Sequence, residues 1–281
     1  MIEDVRTALG ARLFEKVAGP DGPRHRERIH ATPGERWFAD DRPIRTVHAD
    51  SSMFVGGLRA LLLQSLHPLA MAGVAGHSGY RGDPWGRLQR TSYFLAVTTF
   101  GPARDAEATI ARIRAIHERV RGVAPDGRPY AASDPHLLAW VHVAEVDSFL
   151  AAHRRYGAVR LTPEQEDGYV ADAARVARKV GVLDPPTSVA QLREALAGYR
   201  PELRGTAEAR AAARFLLLQP PLPVAARLPY AVLASAAVAS LPAWARWPLR
   251  LPYLPLTEAT VVRAAGAGLV RTLRWISAPA A

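Results

Sequence analysis

The sequence predicts an all-α protein folded as one globular domain of roughly nine to eleven helices. Apolar residues recur at helical spacing along most of the chain, whereas alternation of β-branched and polar residues never extends beyond about five residues. The 281 residues are 49% hydrophobic and 22% charged, as is usual for a chain that buries a full core. No internal repeat or linker divides the chain, so residues 1–281 are predicted to form a single domain.

The first half of the chain carries four helical patterns bounded by capping or breaking residues. These predicted helices cover residues 5–17, 51–67, 84–100 and 103–121. Asp50-Ser51-Ser52 is a good N-cap cluster, and Gly101-Pro102 is the expected C-terminal stop. Residues 20–50 are rich in Pro, Gly, Asp and Arg, and they are predicted to be irregular.

The second half continues the helical pattern after a turn at Pro125-Asp126-Gly127. Ser133-Asp134-Pro135 predicts the start of a helix that ends at Gly157, and Thr162 and Gln165 have the spacing of a capping box. Further helices are predicted over residues 187–196, over residues 206–219 and in the two segments that follow.

An uncharged stretch of 18 residues, 228–245, is just long enough to raise the question of a membrane span. It is rich in alanine, and Pro229 and Pro242 near its ends suit helix boundaries. We therefore interpret it as a buried helix, with a membrane span or a membrane-surface element as the alternative.

The composition excludes several chemistries and indicates a compartment. The chain has no cysteine, which rules out disulfides, cysteine nucleophiles, iron–sulfur clusters and thiolate-ligated metals. Any bound metal must therefore be held by His, Asp, Glu, Tyr or Met. Glu3 and Asp4 lie where a signal peptide would be basic or apolar, so a cytoplasmic location is expected.

The net charge of +10 comes almost entirely from arginine. Only Lys16 and Lys179 are lysines among the 36 basic residues, and the arginines are scattered along the chain. A nucleic-acid-binding module would concentrate them in a patch or arm, so no nucleic-acid partner is expected.

His142 is the first candidate for chemistry, because it lies in mid-helix on the same face as Leu138, Glu145 and Phe149. A buried imidazole needs a hydrogen-bond partner or a metal. The residues alone leave two interpretations open. His142 is either a metal ligand or a core histidine whose partner is Glu145, one turn further on, or a backbone carbonyl.

Two other groups combine polar side chains with apolar surroundings. Arg87, Arg90 and Thr91 share one face of the preceding helix, where guanidinium groups suit recognition of a carboxylate or polarisation of a bound oxygen ligand. The alternative is a solvated arginine face with one buried threonine. His67 and Gln64 lie one turn apart in an apolar run, as a buried polar pair or as the lining of a cavity.

The order of these segments resembles the rubber-oxygenase catalytic domain family, which also includes the mpaB-type oxygenase of mycophenolic acid biosynthesis. The resemblance is strongest over residues 45–200. It rests on LLLQSLHPLAMAGVAGHSGY, RLQRTSYFLAVTTFG, DGRPYAASDPHLLAWVHVAEVDSFL and YVADAARVARKVGVLDPPTSVAQL. It implies an all-α fold with a haem b in a buried pocket of the helical core.

Position by position, the resemblance makes His142 the proximal ligand of the haem iron and Arg87 and Thr91 the distal catalytic pair. It also places Arg90 at the cofactor, where rubber-cleaving members have a lysine that can approach the iron. Arginine is a poor ligand because it stays protonated. The family's glutamate base has no equivalent either, since residues 66–80 contain no carboxylate. His67 is expected to line the cofactor pocket.

The sequence thus favours a cytoplasmic haem b-dependent oxygenase that uses dioxygen on an apolar substrate, olefinic, isoprenoid or lipid-like. Because the sequence shows neither the family's glutamate nor the secretion signal of its rubber-cleaving members, the chain is not expected to act on rubber itself. The alternative is a helical protein that binds haem or a hydrophobic ligand without turnover. A third interpretation takes the positive charge as a site for an anionic surface or nucleic acid. Peripheral membrane contact is not favoured.

Overall fold

A computed structural model describes residues 2–77 and 82–278, and it confirms the predicted all-α class, since 74% of the chain is helical and it forms one compact domain. The α-helices are α1 (Ile2–Ala18), α2 (Gly22–Ala31), α3 (Pro43–Ala49), α4 (Met53–Gln64), α5 (Pro68–His77), α6 (Pro84–Phe100), α7 (Ala103–His117), α8 (Pro135–Tyr156), α9 (Pro163–Val180), α10 (Val189–Tyr199), α11 (Ala207–Leu218), α12 (Val224–Ser240), α13 (Ala243–Leu249), α14 (Pro255–Thr257) and α15 (Arg263–Ser277). Arg200–Glu202 forms a short 3-10 helix, and Glu258–Val262 forms a π-helix between α14 and α15. β1 (Arg121–Val123) and β2 (Pro129–Ala131) pair in antiparallel fashion, with Arg121 opposite Ala131.

Side-chain caps set the helix starts that the sequence marked. The Asp134 carboxylate accepts a hydrogen bond from the His136 backbone N–H at 2.9 Å, and α8 ends before Gly157. Thr162 and Gln165 form the predicted capping box of α9 through two reciprocal bonds of 3.3 and 2.9 Å. These helices are therefore defined by local chemistry before any tertiary contact forms.

Two segments differ from the prediction. Residues 20–50 are not irregular throughout, because they carry α2 and α3, each with a proline in its first turn that presets the helical φ angle. Ile44 and Val47 anchor α3, being buried one turn apart. The hairpin β1–β2 was not predicted, since each of its strands has only three residues, too few for an alternating pattern to emerge.

Helix α8 is the axis of the fold. Its 22 residues span about 33 Å. Different faces of the helix contribute to three apolar clusters. Trp140 and Ala144 pack with α4, α11, α12 and α13, whereas Val143 and Val146 pack with α3, α7, α9 and α10. Near its end, Ala152 packs with α4, α12 and α15. Residues two apart on this helix therefore face different clusters.

The closest partner of α8 is α4. A Cβ atom on Gly56 would lie only 2.7 Å from the Phe149 ring and 3.1 Å from its Cα, so the glycine permits the approach of the two helices. Beside it, the buried Arg59 forms an ion pair with Asp147 at 2.7 Å and hydrogen bonds with the Ser148 hydroxyl at 2.6 Å and the Ser240 carbonyl at 3.0 Å. One guanidinium thus connects α4, α8 and the end of α12.

The uncharged stretch 228–245 is divided between two helices. Pro242 lies at the predicted boundary, but Pro229 lies inside α12 and marks no helix end. The alanines of the second half of α12 are buried, as predicted, whereas Leu228 is 76% exposed. No single described helix is long and apolar enough to cross a bilayer; α4 with α5 and α12 with α13 reach that length only as sharply bent pairs.

The C-terminal helix closes the domain against the start of α4. Arg274 of α15 forms an ion pair with the buried Asp50 carboxylate at 2.8 Å and donates to the Tyr156 carbonyl at 3.1 Å. Asp50 also accepts the backbone N–H groups of Ser52 and Ala158. The predicted cap cluster therefore does more than start α4, since it also fixes the ends of α8 and α15.

Gly56→Ala should destabilise the protein by about 1–3 kcal/mol, because the added methyl group would force α4 and α8 apart. Gly57→Ala is the matched control on the same helix, where a Cβ atom meets nothing within 4 Å and should stabilise by about 0.5–1 kcal/mol. Urea denaturation of both variants measures the difference. Equal effects at the two positions would show that α4 and α8 do not pack as described.

Candidate functional site

The candidate site is built around His142, near the middle of α8. Its Nε2 atom is buried, and no residue that the structure describes forms a hydrogen bond with it. Burial, and then the charge of Arg178, lowers the pKa of His142 to about 4. The imidazole is therefore neutral at physiological pH, and its buried nitrogen is available to a ligand that the described residues do not supply.

Glu145 lies one turn after His142, yet the two side chains form no hydrogen bond among the described residues. The interpretation of His142 as a core histidine satisfied by Glu145 is therefore wrong. Burial raises the pKa of Glu145 to about 7, so this carboxyl group can gain or lose a proton near neutral pH. His142 and Glu145 thus share a face of α8 without satisfying each other, and among the described residues the buried Nε2 of His142 has no hydrogen-bond partner.

A buried polar network borders this face from α3, α6 and α9. The His48 Nδ1 lies 2.8 Å from the Thr99 hydroxyl, and the Tyr169 hydroxyl lies 3.4 Å from the His48 Nε2. Burial lowers the pKa of His48 to about 3. Burial and then the charge of Glu145 raise the pKa of Tyr169 well above its usual value, which places this phenol near the Glu145 carboxyl. Sequence reasoning missed these residues, because they come from three separate helices.

The three predicted residues of α6 lie in its first half, at different degrees of exposure. The Arg87 side chain is half-buried, whereas Thr91 is exposed and donates its hydroxyl to the Arg87 carbonyl at 3.0 Å. Arg90 is exposed and forms an ion pair with Asp83, the N-cap residue of the same helix, at 3.2 Å. Arg87 is therefore the one of the three whose charge is partly withdrawn from solvent.

Helices α6 and α8 contribute to the same apolar cluster but do not pack side by side. One turn after Thr91, Phe94 and Leu95 pack against the cluster that contains Val143 and Val146. Over their described lengths, α6 packs on α1, α2, α3 and α7 instead of directly on α8. Arg87 and His142 therefore lie on helices that meet through this shared cluster.

His67, by contrast, lies on another side of α8. It is buried in contact with the rings of His136, Trp140 and Tyr199, and its Nε2 lies 3.3 Å from the Glu202 carboxylate. Trp140 and His142 are about 200° apart around the helix axis. The structure therefore does not bring His67 together with His142, and His67 has partners, His136 and Glu202, that the sequence did not indicate.

A second histidine of α8 also has an unpartnered nitrogen. The Nε2 atom of His153 is buried without a hydrogen bond. It faces the end of the helix, where it would lie 2.8 Å from a Cβ atom on Gly157. His153 thus resembles His142 in chemistry but sits against backbone, which makes it a useful control.

Comparison with known proteins gives one match. A family model described as "ER-bound oxygenase mpaB/B'/Rubber oxygenase, catalytic domain" matches residues 45–275, which include all the residues discussed above. No curated protein and no solved structure matches the chain. The last three residues of the first sequence motif, 78–80, lie outside the described residues.

Glu145→Gln should change how stability depends on pH. The folded protein keeps on Glu145 a proton that the unfolded chain releases above pH 4.5, so the wild type loses stability as the pH rises from about 4.5 to about 7. Glutamine has no proton to release. The free energy of unfolding of the variant should therefore rise relative to that of the wild type by up to about 3 kcal/mol as the pH increases across this window. Urea denaturation at pH 5 and pH 8 measures the gain.

Glu194→Gln is the matched control, because it makes the same exchange at an exposed position of α10. Its effect on the free energy of unfolding should not depend on pH in this window. A stability difference between Glu145→Gln and the wild type that stayed constant from pH 5 to pH 8 would contradict the raised pKa of Glu145.

Proposed function

The chain belongs to the mpaB and rubber oxygenase catalytic-domain family, a family of oxygenases, and on this premise we propose that it is a haem b-dependent oxygenase with an apolar substrate. The observation that carries the proposal is the buried Nε2 of His142, which has no hydrogen-bond partner among the described residues and belongs to an imidazole whose pKa is lowered by burial to about 4. A neutral histidine is the natural axial ligand in a chain without cysteine.

His142 would hold the iron, and Arg87 would face the group from α6. When bound, haem supplies the redox chemistry that activates dioxygen. Arg87 is suited to donate to an anionic oxygen, such as a propionate, or to polarise dioxygen, because its half-buried guanidinium remains charged at every relevant pH. Thr91 keeps its hydroxyl on the Arg87 carbonyl and so links the two residues of the pair.

Arg90 occupies the position at which rubber-cleaving relatives have a lysine, but its chemistry and its contacts are different. Its guanidinium cannot lose its proton to become an iron ligand, and in the structure it pairs with Asp83 at the surface. We assign Arg90 the role of a propionate partner at the rim of the pocket, where release of Asp83 would leave the guanidinium available. Arg90 is therefore not expected to approach the iron as the lysine of rubber-cleaving members can.

Glu145 is the residue that we propose for holding a proton. Its carboxyl group has no hydrogen-bond partner among the described residues, lies near Tyr169 and has a pKa of about 7. A base or acid with such a pKa is half-protonated under physiological conditions. It would fill the function of the family's glutamate from a different element, since no carboxylate occurs between residues 66 and 80.

The surroundings favour an apolar substrate. Incompletely buried apolar side chains line the cluster next to His142, and they include Met53, Phe94, Leu95, Val176 and Val180. A pocket bordered by such side chains excludes water and binds hydrocarbon chains better than polar molecules. An olefinic, isoprenoid or lipid-like chain is therefore the proposed substrate class, with dioxygen as the second substrate.

The second candidate function is binding of haem or a hydrophobic ligand without turnover. The observations in its favour are Arg90 in place of the family's lysine and the missing glutamate upstream of α6. Haem binding alone is common to both candidates, and oxygen consumption separates them.

Haem reconstitution tests the role of His142. The wild type should give a Soret band, His142→Gly should lose it, and added imidazole should restore it by filling the space left by the ring. His153→Gly is the matched control, because it removes another buried, unpartnered imidazole of the same helix. Absence of a specific band in the wild type, or its loss in His153→Gly instead of His142→Gly, would overturn the proposal.

Oxygen consumption by the reconstituted protein, with a short polyisoprenoid or an unsaturated fatty acid, tests turnover. Arg87→Ala should lower the rate at least about tenfold while the Soret band persists, because a donor to the reacting oxygen is lost. Arg104→Ala, at an exposed arginine of α7, should leave the rate unchanged. A haem-loaded wild type that consumes no oxygen with any apolar substrate would favour the binding protein.

A further inference from the structure

His67, His136 and Glu202 form a compact group that the proposed oxygenase site does not use. The three residues come from the turn before α5, the first turn of α8 and the end of the short 3-10 helix. Their ligand atoms, the two Nε2 nitrogens and a carboxylate oxygen, all lie within 4.8 Å of one another. We propose that this triad is a second metal site, which takes a divalent cation of the Zn²⁺ type.

The spacing of the donor atoms fits tetrahedral coordination. Bond lengths of 2.0–2.1 Å separate the ligand atoms of a tetrahedral zinc site by about 3.3 Å. The Glu202 carboxylate lies 3.3 Å from the His67 Nε2 and 2.9 Å from the His136 Nε2. A cation can therefore enter with small side-chain movements, and two histidines with one glutamate form an established zinc donor set.

The ring of His136 is oriented for this role. The Tyr199 hydroxyl donates to the His136 carbonyl at 2.8 Å and lies 3.4 Å from the His136 Nδ1. Without a cation, the His136 Nε2–H donates to the Glu202 carboxylate at 2.9 Å. A cation would replace that proton, and because the Tyr199 hydroxyl uses its own proton on the carbonyl, it could then accept from Nδ1–H. An outer hydrogen bond that fixes the tautomer in this way is typical of metal-ligating histidines.

His67 supplies a buried ligand from a fixed frame. Its side chain is 1% exposed, and burial lowers its pKa, so that it is neutral as a ligand must be. The backbone around it is held by the bond from Arg204 N–H to the Leu66 carbonyl at 2.7 Å. In the structure, the Ala70 N–H lies 3.5 Å from the His67 Nδ1, at the limit of a hydrogen bond. When the His67 Nε2 binds a cation, Nδ1 carries the ring proton, so this weak contact would be lost.

The exposed side of the triad leaves a fourth position for water. The side chains of His136 and Glu202 are 54% and 40% exposed, so a cation has a route from solvent. Bound there, it would link the bend between α4 and α5 to the start of α8 and the end of α10. The proposed site is thus a structural clamp on the opposite side of α8 from His142.

Titration of the chelator-treated full-length protein with Zn²⁺, followed by calorimetry, tests the proposal. One Zn²⁺ should bind per chain, and at saturation the melting temperature should rise by about 5 °C. His136→Ala and Glu202→Gln should each weaken binding at least tenfold. Both positions are partly exposed, so these variants should fold, which circular dichroism verifies before titration.

Two further variants separate this site from other histidines. His77→Ala, at an exposed position of α5, and His142→Ala, at the proposed haem site, should both leave the zinc stoichiometry and affinity unchanged. Replacement of zinc by Co²⁺ should give the visible bands of tetrahedral cobalt in the wild type and not in His136→Ala.

Binding weaker than about 100 µM, or binding that persists in both His136→Ala and Glu202→Gln, would overturn the proposal. Because the outcome does not depend on haem, failure of this experiment would leave the oxygenase proposal intact, and a missing Soret band would leave the zinc site intact.

Discussion

The contact between α4 and α8 sets which faces of α8 point toward which apolar cluster. Gly56 brings the two backbones together, and Arg59 inserts its guanidinium between Asp147, Ser148 and the end of α12. A buried charge of this kind is tolerated only when all its partners are in place, so it specifies one register of the helices more than it adds stability. With α8 fixed in that register, His142 faces one cluster and His136 another.

Much of the fold was predictable because its information is local. Asp134, Thr162 and Gln165 satisfy backbone groups within three residues of themselves, so the starts of α8 and α9 follow from the sequence alone. The short helices α2 and α3 and the three-residue strands escaped prediction. They are too short to show a clear period. Burial of Ile29 holds α2, burial of Ile44 and Val47 holds α3, and the two strands pack on α5.

The candidate site was predictable only in part. Helical spacing placed His142 and Glu145 on one face of α8, but it also suggested that they satisfy each other, which the structure contradicts. What joins His67 to Glu202 is a contact across 135 positions of the chain, and His48 meets Tyr169 across 121 positions. No periodicity records such pairings, since they depend on how whole helices cross. The roles of Arg87, Arg90 and Thr91 stay predictions, which start from the family resemblance and not from a contact in the structure.

The ion pair between Asp50 and Arg274 joins residues 224 positions apart and so carries a consequence for biosynthesis. Asp50 is synthesised together with α4, whereas the guanidinium that neutralises it is added 224 residues later. Until α15 arrives, the carboxylate at the start of α4 needs water, and the apolar cluster shared by α4, α8, α12 and α15 stays open. The apolar cluster therefore closes only once α15 has been synthesised, so α4 and α8 cannot complete their packing before the chain has grown at least that far.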